Sequence, residues 1–168
     1  MRIQKITLRE IHLQLLSPFQ TSFGTTRLRR IPLVEVQTEQ GITGWGESTA
    51  GEDPYYSYET IETTWHILRD FLWPMIKGRE IHAPEVFEMF AQVRGHNMAK
   101  AALETAVWDA EAREKQIPLW KLLGGTIPEI PCGVSIGIQP SIAALIAKVE
   151  TELAAGYQRI KIKIKPGT

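Results

Sequence analysis

Three lysines near the C-terminal end of the sequence, Lys161, Lys163 and Lys165, alternate with isoleucines in the run RIKIKIKPG. Side chains at i and i+2 of a β-strand point the same way, so this pattern predicts a strand with one ammonium face and one isoleucine face. The Cα atoms of Lys161 and Lys163 would be roughly 6.5 Å apart. Two charges about 6 Å apart repel by roughly 3 kcal/mol at an effective dielectric of about 20. This repulsion favours the neutral form of one lysine, which is the form that a general base needs.

A second interpretation is an edge strand whose lysines face water and prevent further pairing. The preceding elements favour a different setting. A short apolar strand, IPCGVSIGI, a helix over residues 140–156 and the lysine strand follow one another, which predicts a βαβ unit with parallel strands. In a parallel barrel the lysine face would point inward, and the C-terminal strand ends would lie at the mouth, where active sites are built.

The chain before Gly125 follows another pattern. Apolar alternation over residues 3–15 predicts a strand, and residues 32–47 predict a hairpin around Gly41. Residues 17–30, rich in Ser and Thr, predict a loop. Further along the chain, apolar residues recur at helical spacing. We expect N-caps at Ser57 and Asn97 and a helix end at Trp73-Pro74.

These patterns predict an α+β domain over residues 1–125 and the opening of an α/β domain over residues 126–168. An α/β barrel needs about 200 residues or more, so we expect the second domain to be incomplete and its strand edges uncovered.

The amino-acid composition excludes several kinds of binding partner and site. The 19 basic and 19 acidic side chains balance, so we expect no nucleic-acid partner, and no apolar run approaches the ~20 residues of a membrane span. The single cysteine, Cys132, excludes an intrachain disulfide and is predicted to be a small apolar residue at the start of a buried strand. The four histidines show no metal-ligand spacing. We expect a cytoplasmic protein.

The chain resembles the N-terminal part of enolase-superfamily enzymes of the muconate-cycloisomerase subgroup. The segments that carry the resemblance are LVEVQTEQGITGWGES, DPYYSYETIETTWHILRDFLWP, GHNMAKAALETAVWDAEAREKQIPLWKLLGG, GVSIGI and GYQRIKIKIKPG. Within the subgroup the chain is most similar to o-succinylbenzoate synthases that also act as N-acylamino acid racemases. The resemblance implies an α+β N-terminal cap domain (an antiparallel meander plus helices), followed by the first βαβ unit of a truncated, TIM-like (β/α)₈ barrel.

The resemblance also implies roles for two lysines. Lys163 would be the acid/base that removes a proton next to a carboxylate, and Lys161 its cationic neighbour, which helps to hold that carboxylate. Mg²⁺ or Mn²⁺ would serve the full-length enzyme through ligands on later barrel strands. We therefore predict no metal ligand among the residues of this chain and no metal bound to it.

Five further residues are predicted to bind substrate. Phe19, Phe23, Ala50 and Tyr55 lie in segments that resemble the two loops closing over the barrel mouth. Ser135 faces away from its apolar strand neighbours and would point into the barrel. Two alternatives stay open: the aromatic residues only hold the loops in place, and Ser135 only fills space.

The function implied for the parent protein is Mg²⁺-dependent dehydration of a small cyclohexadiene carboxylate in menaquinone synthesis, with N-acylamino acid racemisation beside it. The full-length form is expected to be a homo-oligomer. One alternative is a dipeptide epimerase or muconate cycloisomerase of the same subgroup. Another is a non-catalytic truncated cap-domain fragment, and we expect the 168-residue chain alone to be inactive.

Overall fold

The structure, a computed structural model, describes residues 1–21 and 24–165. Contacts divide the chain into two units. The first combines Met1–Gln14 with Leu28–Gly125, and the second combines Leu15–Arg27 with the chain from Thr126 onward.

Three strands form the larger sheet: β1 (Ile3–Gln20), β2 (Thr25–Thr38) and β3 (Thr43–Glu47). Their order is β1-β2-β3, and β2 pairs antiparallel with β3, which confirms the predicted hairpin around Gly41. The predicted loop over residues 17–30 is wrong, because β1 continues to Gln20 and β2 begins at Thr25. Hydrogen bonding between these two strands stabilises extended backbone in a segment whose Ser and Thr content is typical of loops.

Helices follow the sheet. They are α1 (Ile61–Ile67), a π-helical turn (Leu68–Leu72), α2 (Trp73–Ile76), a 3₁₀ turn (Ala83–Glu85), α3 (Val86–Met89), α4 (Asn97–Glu114) and α5 (Leu119–Leu122). The N-cap of α1 is Thr60, so the predicted cap at Ser57 is wrong. Thr60 and Thr63 form a reciprocal capping box, in which the backbone N–H of each donates to the other's hydroxyl, at 3.3 Å from Thr63 and 2.8 Å from Thr60.

The predicted helix end at Trp73-Pro74 is also wrong, because helical backbone continues to Ile76. Proline has no N–H, and inside a regular helix its ring meets the carbonyl one turn earlier. Here the π-helical turn Leu68–Leu72 immediately precedes this segment and widens the backbone where that conflict would arise.

Helix α4 begins at Asn97, so Asn97 is its first residue and not its cap. His96 takes the cap position with a left-handed backbone, φ 52°. The unpaired backbone N–H groups in the first turn of α4 find their acceptor in a residue that is distant in the sequence. The buried carboxylate of Glu59 accepts hydrogen bonds from the backbone N–H of Met98, at 3.0 Å, and of Ala99, at 3.1 Å. A carboxylate at a helix N-terminus also interacts favourably with the helix dipole.

The core of the first unit forms where α4 packs on β3. Gly44 and Gly46 of β3 face a stripe of small residues on α4, and Ala102 and Ala106 are fully buried. The carboxylate of Asp109 accepts a 2.9 Å hydrogen bond from the backbone N–H of Trp45. Since β3 is an edge strand, this bond satisfies a backbone donor that the sheet leaves unpaired.

The second unit contains β4 (Val134–Ile136), α6 (Ile142–Ala154) and β5 (Ile160–Ile162). Strands β4 and β5 pair in parallel, as predicted. The fold class is therefore confirmed as an antiparallel sheet with helices, followed by a short parallel strand pair. Ser141 caps α6 by accepting from the N–H of Ala144 at 3.2 Å. Cys132 is exposed, so its predicted burial is wrong: β4 begins two residues later, and its buried residue is Ile136.

Candidate functional site

The lysine run lies at the C-terminal end of the described chain, on β5 and just beyond it. Lys161 lies opposite Ser135 of β4 in the parallel register. The backbone N–H of Lys163 donates a 3.0 Å hydrogen bond to the carbonyl of Ile136, which extends the pairing past the strand end. Lys161 is exposed and Lys163 is partly buried. The backbone therefore fixes Lys163 while its side chain remains accessible.

The side chain of Lys163 contacts the end of β1, within the second unit. Its Nζ donates a 2.6 Å hydrogen bond to the carbonyl oxygen of Gln20 and lies 4.5 Å from the centre of the Phe19 ring. The structure thus brings together two of the predicted site residues, Phe19 and Lys163. Gln20 was missed, because its contribution comes from the backbone and carries no side-chain signal.

A cavity of about 280 Å³ lies against the paired strands. The residues that line it are Gly133, Val134, Ser135, Arg159 and Lys161. Arg159 and Lys161 both carry positive charge, so the lining of this cavity is cationic. A Cβ atom on Gly133 would lie 2.8 Å from Nε of Arg159, so glycine leaves room for the guanidinium. Arg159 was missed, although its i−2 spacing from Lys161 is visible in the sequence.

Two further predicted substrate residues differ in their exposure. Ala50 and Tyr55 belong to the first unit, where Ala50 is 1% exposed and Tyr55 is 66% exposed. The backbone N–H of Ala50 donates to the hydroxyl of Ser48 at 3.4 Å. Phe23 lies outside the described residues. The roles of all these residues remain predictions.

The side chains of the described residues determine whether this chain could hold a metal ion. Over residues 1–21 and 24–165, no group of three or more His, Cys, Asp or Glu side chains could hold a metal ion. Two histidines each pair with one carboxylate instead. His12 pairs with Glu10 and His66 pairs with Asp70, each with an N···O distance of 2.8 Å. The residues of this chain that the structure describes therefore do not fit a divalent-metal centre.

Strong charge pairing occurs in the first unit. Arg30 donates to both carboxylate oxygens of Glu10, at 2.8 and 2.9 Å, and also to Glu62 at 3.2 Å. The two bonds from Arg30, with a further one from His12, lower the pKa of Glu10 from 4.5 to about 2. Hydrogen bonds to Glu10 and Glu62 raise the pKa of Arg30. The paired groups of this cluster are charged near neutral pH, whereas a general acid or base needs a group that can exchange its proton there.

No helix in the described part of the chain is both long and apolar enough to cross a membrane.

The fold is an antiparallel sheet with helices followed by a short parallel strand pair, with Lys161 on its second strand and Lys163 just beyond that strand. Comparison with known families specifies it further. The model of the mandelate racemase / muconate lactonizing enzyme N-terminal domain matches residues 3–124. The chain belongs to this family, within the enolase superfamily.

Individual relatives extend the similarity to the end of the chain. An o-succinylbenzoate synthase from Geobacillus stearothermophilus is 49% identical over 165 residues, 98% of this chain and 44% of its own length. An N-succinylamino acid racemase from an Amycolatopsis species is 40% identical over 168 residues, 99% of this chain and 45% of its own. The chain thus spans somewhat less than half the length of these relatives.

Solved structures give the same result. An enolase-superfamily member from Listeria innocua superposes with a TM-score of 0.94 at 38% identity, covering 100% of this chain and 46% of its own. A dipeptide epimerase from Enterococcus faecalis, solved with Mg and the dipeptide L-Leu-L-Tyr, superposes with a TM-score of 0.85 at 26% identity, covering 99% and 47%.

Proposed function

We propose that the complete protein is an o-succinylbenzoate synthase-like enzyme, which removes a proton next to a carboxylate and then eliminates water, in menaquinone synthesis. One observation carries the proposal. Lys161 of β5 and Lys163 just beyond it lie within a chain that is 49% identical, over 98% of its length, to a protein named o-succinylbenzoate synthase.

The lysines would divide the chemistry between them. A neutral Lys163 takes the proton from the carbon next to the substrate carboxylate, and the electrons of the broken C–H bond pass into that carboxylate. They then expel the hydroxyl group from the neighbouring carbon, and the proton on Lys163 assists its departure as water. Lys161, on the same strand face, offers a fixed positive charge to the carboxylate, where negative charge increases during the reaction.

We propose Mg²⁺ or Mn²⁺ as the cofactor of the complete protein. Support comes from the similar epimerase solved with Mg. Since the described residues of this chain include no cluster that would hold such an ion, none of them is assigned as a ligand, and the two lysine roles do not run through it.

Two domains would provide this site. We propose a cap domain over residues 1–125 and the start of a barrel over residues 126–168, with Ser135 near the substrate. Phe19, Phe23, Ala50 and Tyr55 would contact its non-reacting part. The family match over residues 3–124 supports the boundary.

Racemisation of N-acylamino acids is a second proposed activity. It is supported by the N-succinylamino acid racemase at 40% identity. Both activities start with removal of a proton next to a carboxylate, so Lys163 can take this first step in each. Racemisation then needs a proton delivered to the opposite face of the same carbon, by a second acid that the described residues do not supply. A dipeptide epimerase is less well supported, because one such relative is only 27% identical.

The test is to assay the complete protein and its Lys163→Ala variant on three substrates: the cyclohexadiene carboxylate, an N-succinylamino acid and a dipeptide. We expect turnover of the first two substrates, and a fall in kcat of about 10²–10⁴-fold in the variant. Lys148→Ala is the control, since Lys148 pairs with Glu152 on α6 at 2.6 Å, and wild-type turnover is expected. Near-wild-type turnover by Lys163→Ala would contradict the proposal.

For location and assembly we propose a cytoplasmic homo-oligomer that acts on a small carboxylate. Cell fractionation and sedimentation of the complete protein test the first two. A monomer in sedimentation equilibrium would contradict the homo-oligomer.

A further inference from the structure

The ammonium group of Lys163 is held by two neighbouring residues of β1. Its Nζ donates a 2.6 Å hydrogen bond to the Gln20 carbonyl and lies 4.5 Å from the centre of the Phe19 ring. The hydrogen bond joins residues 143 positions apart in the chain. We call the Phe19 ring and the Gln20 carbonyl the ammonium cradle.

Both parts of the cradle are groups that interact favourably with an ammonium group. A carbonyl oxygen only accepts hydrogen bonds, and an ammonium group offers three donors. The face of an aromatic ring carries partial negative charge and attracts a cation. A neutral amine would lose the second interaction and weaken the first.

A lysine that removes a proton from carbon must instead be neutral and present its lone pair to the substrate. While the ammonium lies in the cradle, its protons are directed at Gln20 and the ring. The same group that would act as the base is therefore turned toward β1 by its contacts with Phe19 and Gln20.

We propose that Phe19 and Gln20 position the Lys163 side chain as a hydrogen-bond donor against β1 until the end of β1 releases it. Phe19 is then a positioning residue for Lys163, beyond its predicted part in a substrate pocket. The inference depends on the proposed function only for the catalytic role of Lys163.

Local geometry allows the side chain and the strand end to separate. The backbone of Lys163 is tied to Ile136 by a 3.0 Å hydrogen bond, so release requires movement of the side chain or of β1 but not of β5. Phe19 is 54% exposed, so its ring has room to leave. Its exposure also means that replacing it removes little packing.

The experiment measures how fast the Lys163 ammonium protons exchange with water. The complete protein is labelled with ¹⁵N-lysine, side-chain signals are recorded by NMR, and Lys163→Arg assigns the signal. We expect a protected signal in the wild type and exchange about threefold faster in Phe19→Leu, which keeps an apolar side chain but removes the ring face. Phe19→Tyr should restore protection. Leu16→Ala, at a fully exposed position of the same strand, should retain it.

An unprotected Lys163 signal in the wild type, or equal exchange in the wild type and Phe19→Leu, would overturn the inference. The readout needs no turnover, so it separates the two proposals. Protection that depends on Phe19 in a protein without turnover supports the cradle and contradicts the proposed function. If the protein turns over substrate but its Lys163 exchange is the same with and without the Phe19 ring, the proposed function is supported and the cradle is contradicted.

Discussion

Gly46 of β3 lies directly against the carbonyl oxygen of Ala102 on α4: a Cβ atom at Gly46 would lie 1.9 Å from that oxygen. No side chain fits between the strand and the helix here. This contact sets how closely the sheet and its longest helix approach.

Gly46→Ala should therefore destabilise the protein. The methyl group meets helix backbone, which cannot rotate away, so we expect a loss of about 3 kcal/mol in the free energy of unfolding. Urea unfolding measures it. Gly51→Ala is the control, because a Cβ atom there would have its nearest neighbour at 3.6 Å, an ordinary contact distance. Equal midpoints for the two variants would contradict the close packing.

Glu59→Ala should weaken the start of α4. Glu59 is 3% exposed and accepts hydrogen bonds from the backbone of Met98 and Ala99. Its loss leaves buried N–H groups without an acceptor, and we expect a cost of about 2–3 kcal/mol in unfolding free energy. Glu59→Gln keeps one acceptor oxygen and should fall between the wild type and Glu59→Ala. Hydrogen exchange at Met98 should rise in the same order; an unchanged rate in Glu59→Ala would refute the cap.

The ion pair of Glu10 and Arg30 should make stability depend on pH. Hydrogen bonds from Arg30 lower the pKa of Glu10 from 4.5 to about 2. A carboxyl group with a lowered pKa in the folded state stabilises the protein above its unfolded pKa, and this contribution is lost as pH falls. The wild type should exceed Glu10→Gln in stability at pH 6, and the difference should shrink between pH 4.5 and 2. Chemical denaturation at several pH values measures it, and a difference that grows on acidification would show the wrong sign.

Asp109 should protect the edge of the sheet. In Asp109→Ala the N–H of Trp45 loses its acceptor, and we expect its amide exchange to rise by about tenfold. Arg113→Ala is the matched control, because it removes the 2.9 Å ion pair to the same carboxylate but leaves the acceptor in place. If both variants exchange alike, the hydrogen bond is not what protects Trp45.

Local patterns predicted much of this fold. Alternation at Lys161 and Lys163 predicted a strand, and the order of elements around it predicted a parallel pair, because only a crossover joins parallel neighbours. The hairpin around Gly41 and a helix over residues 140–156, observed as Ile142–Ala154, were likewise visible from spacing and end signals.

Long-range contacts could not be predicted in this way. The strand character of residues 17–20 comes from pairing with a second strand, not from composition. Glu59 reaches a helix start 39 residues away, and Gln20 acts through its carbonyl alone. Ser57 and Thr60 are both good caps by type, and only the reciprocal bonds with Thr63 select Thr60.

The π-helical turn limits where residues can be inserted or deleted in related sequences. Leu68, Leu72 and Ile76 recur every four residues and are all buried. In a regular α-helix each such step advances about 40° beyond a full turn, so the apolar stripe would drift around the axis. The wider turn offsets this drift. Deleting one residue from Leu68–Leu72 would restore ordinary helix but rotate Ile76 by about 100°, out of the core. Insertions and deletions among relatives should therefore avoid these five residues, even where the helix tolerates substitution.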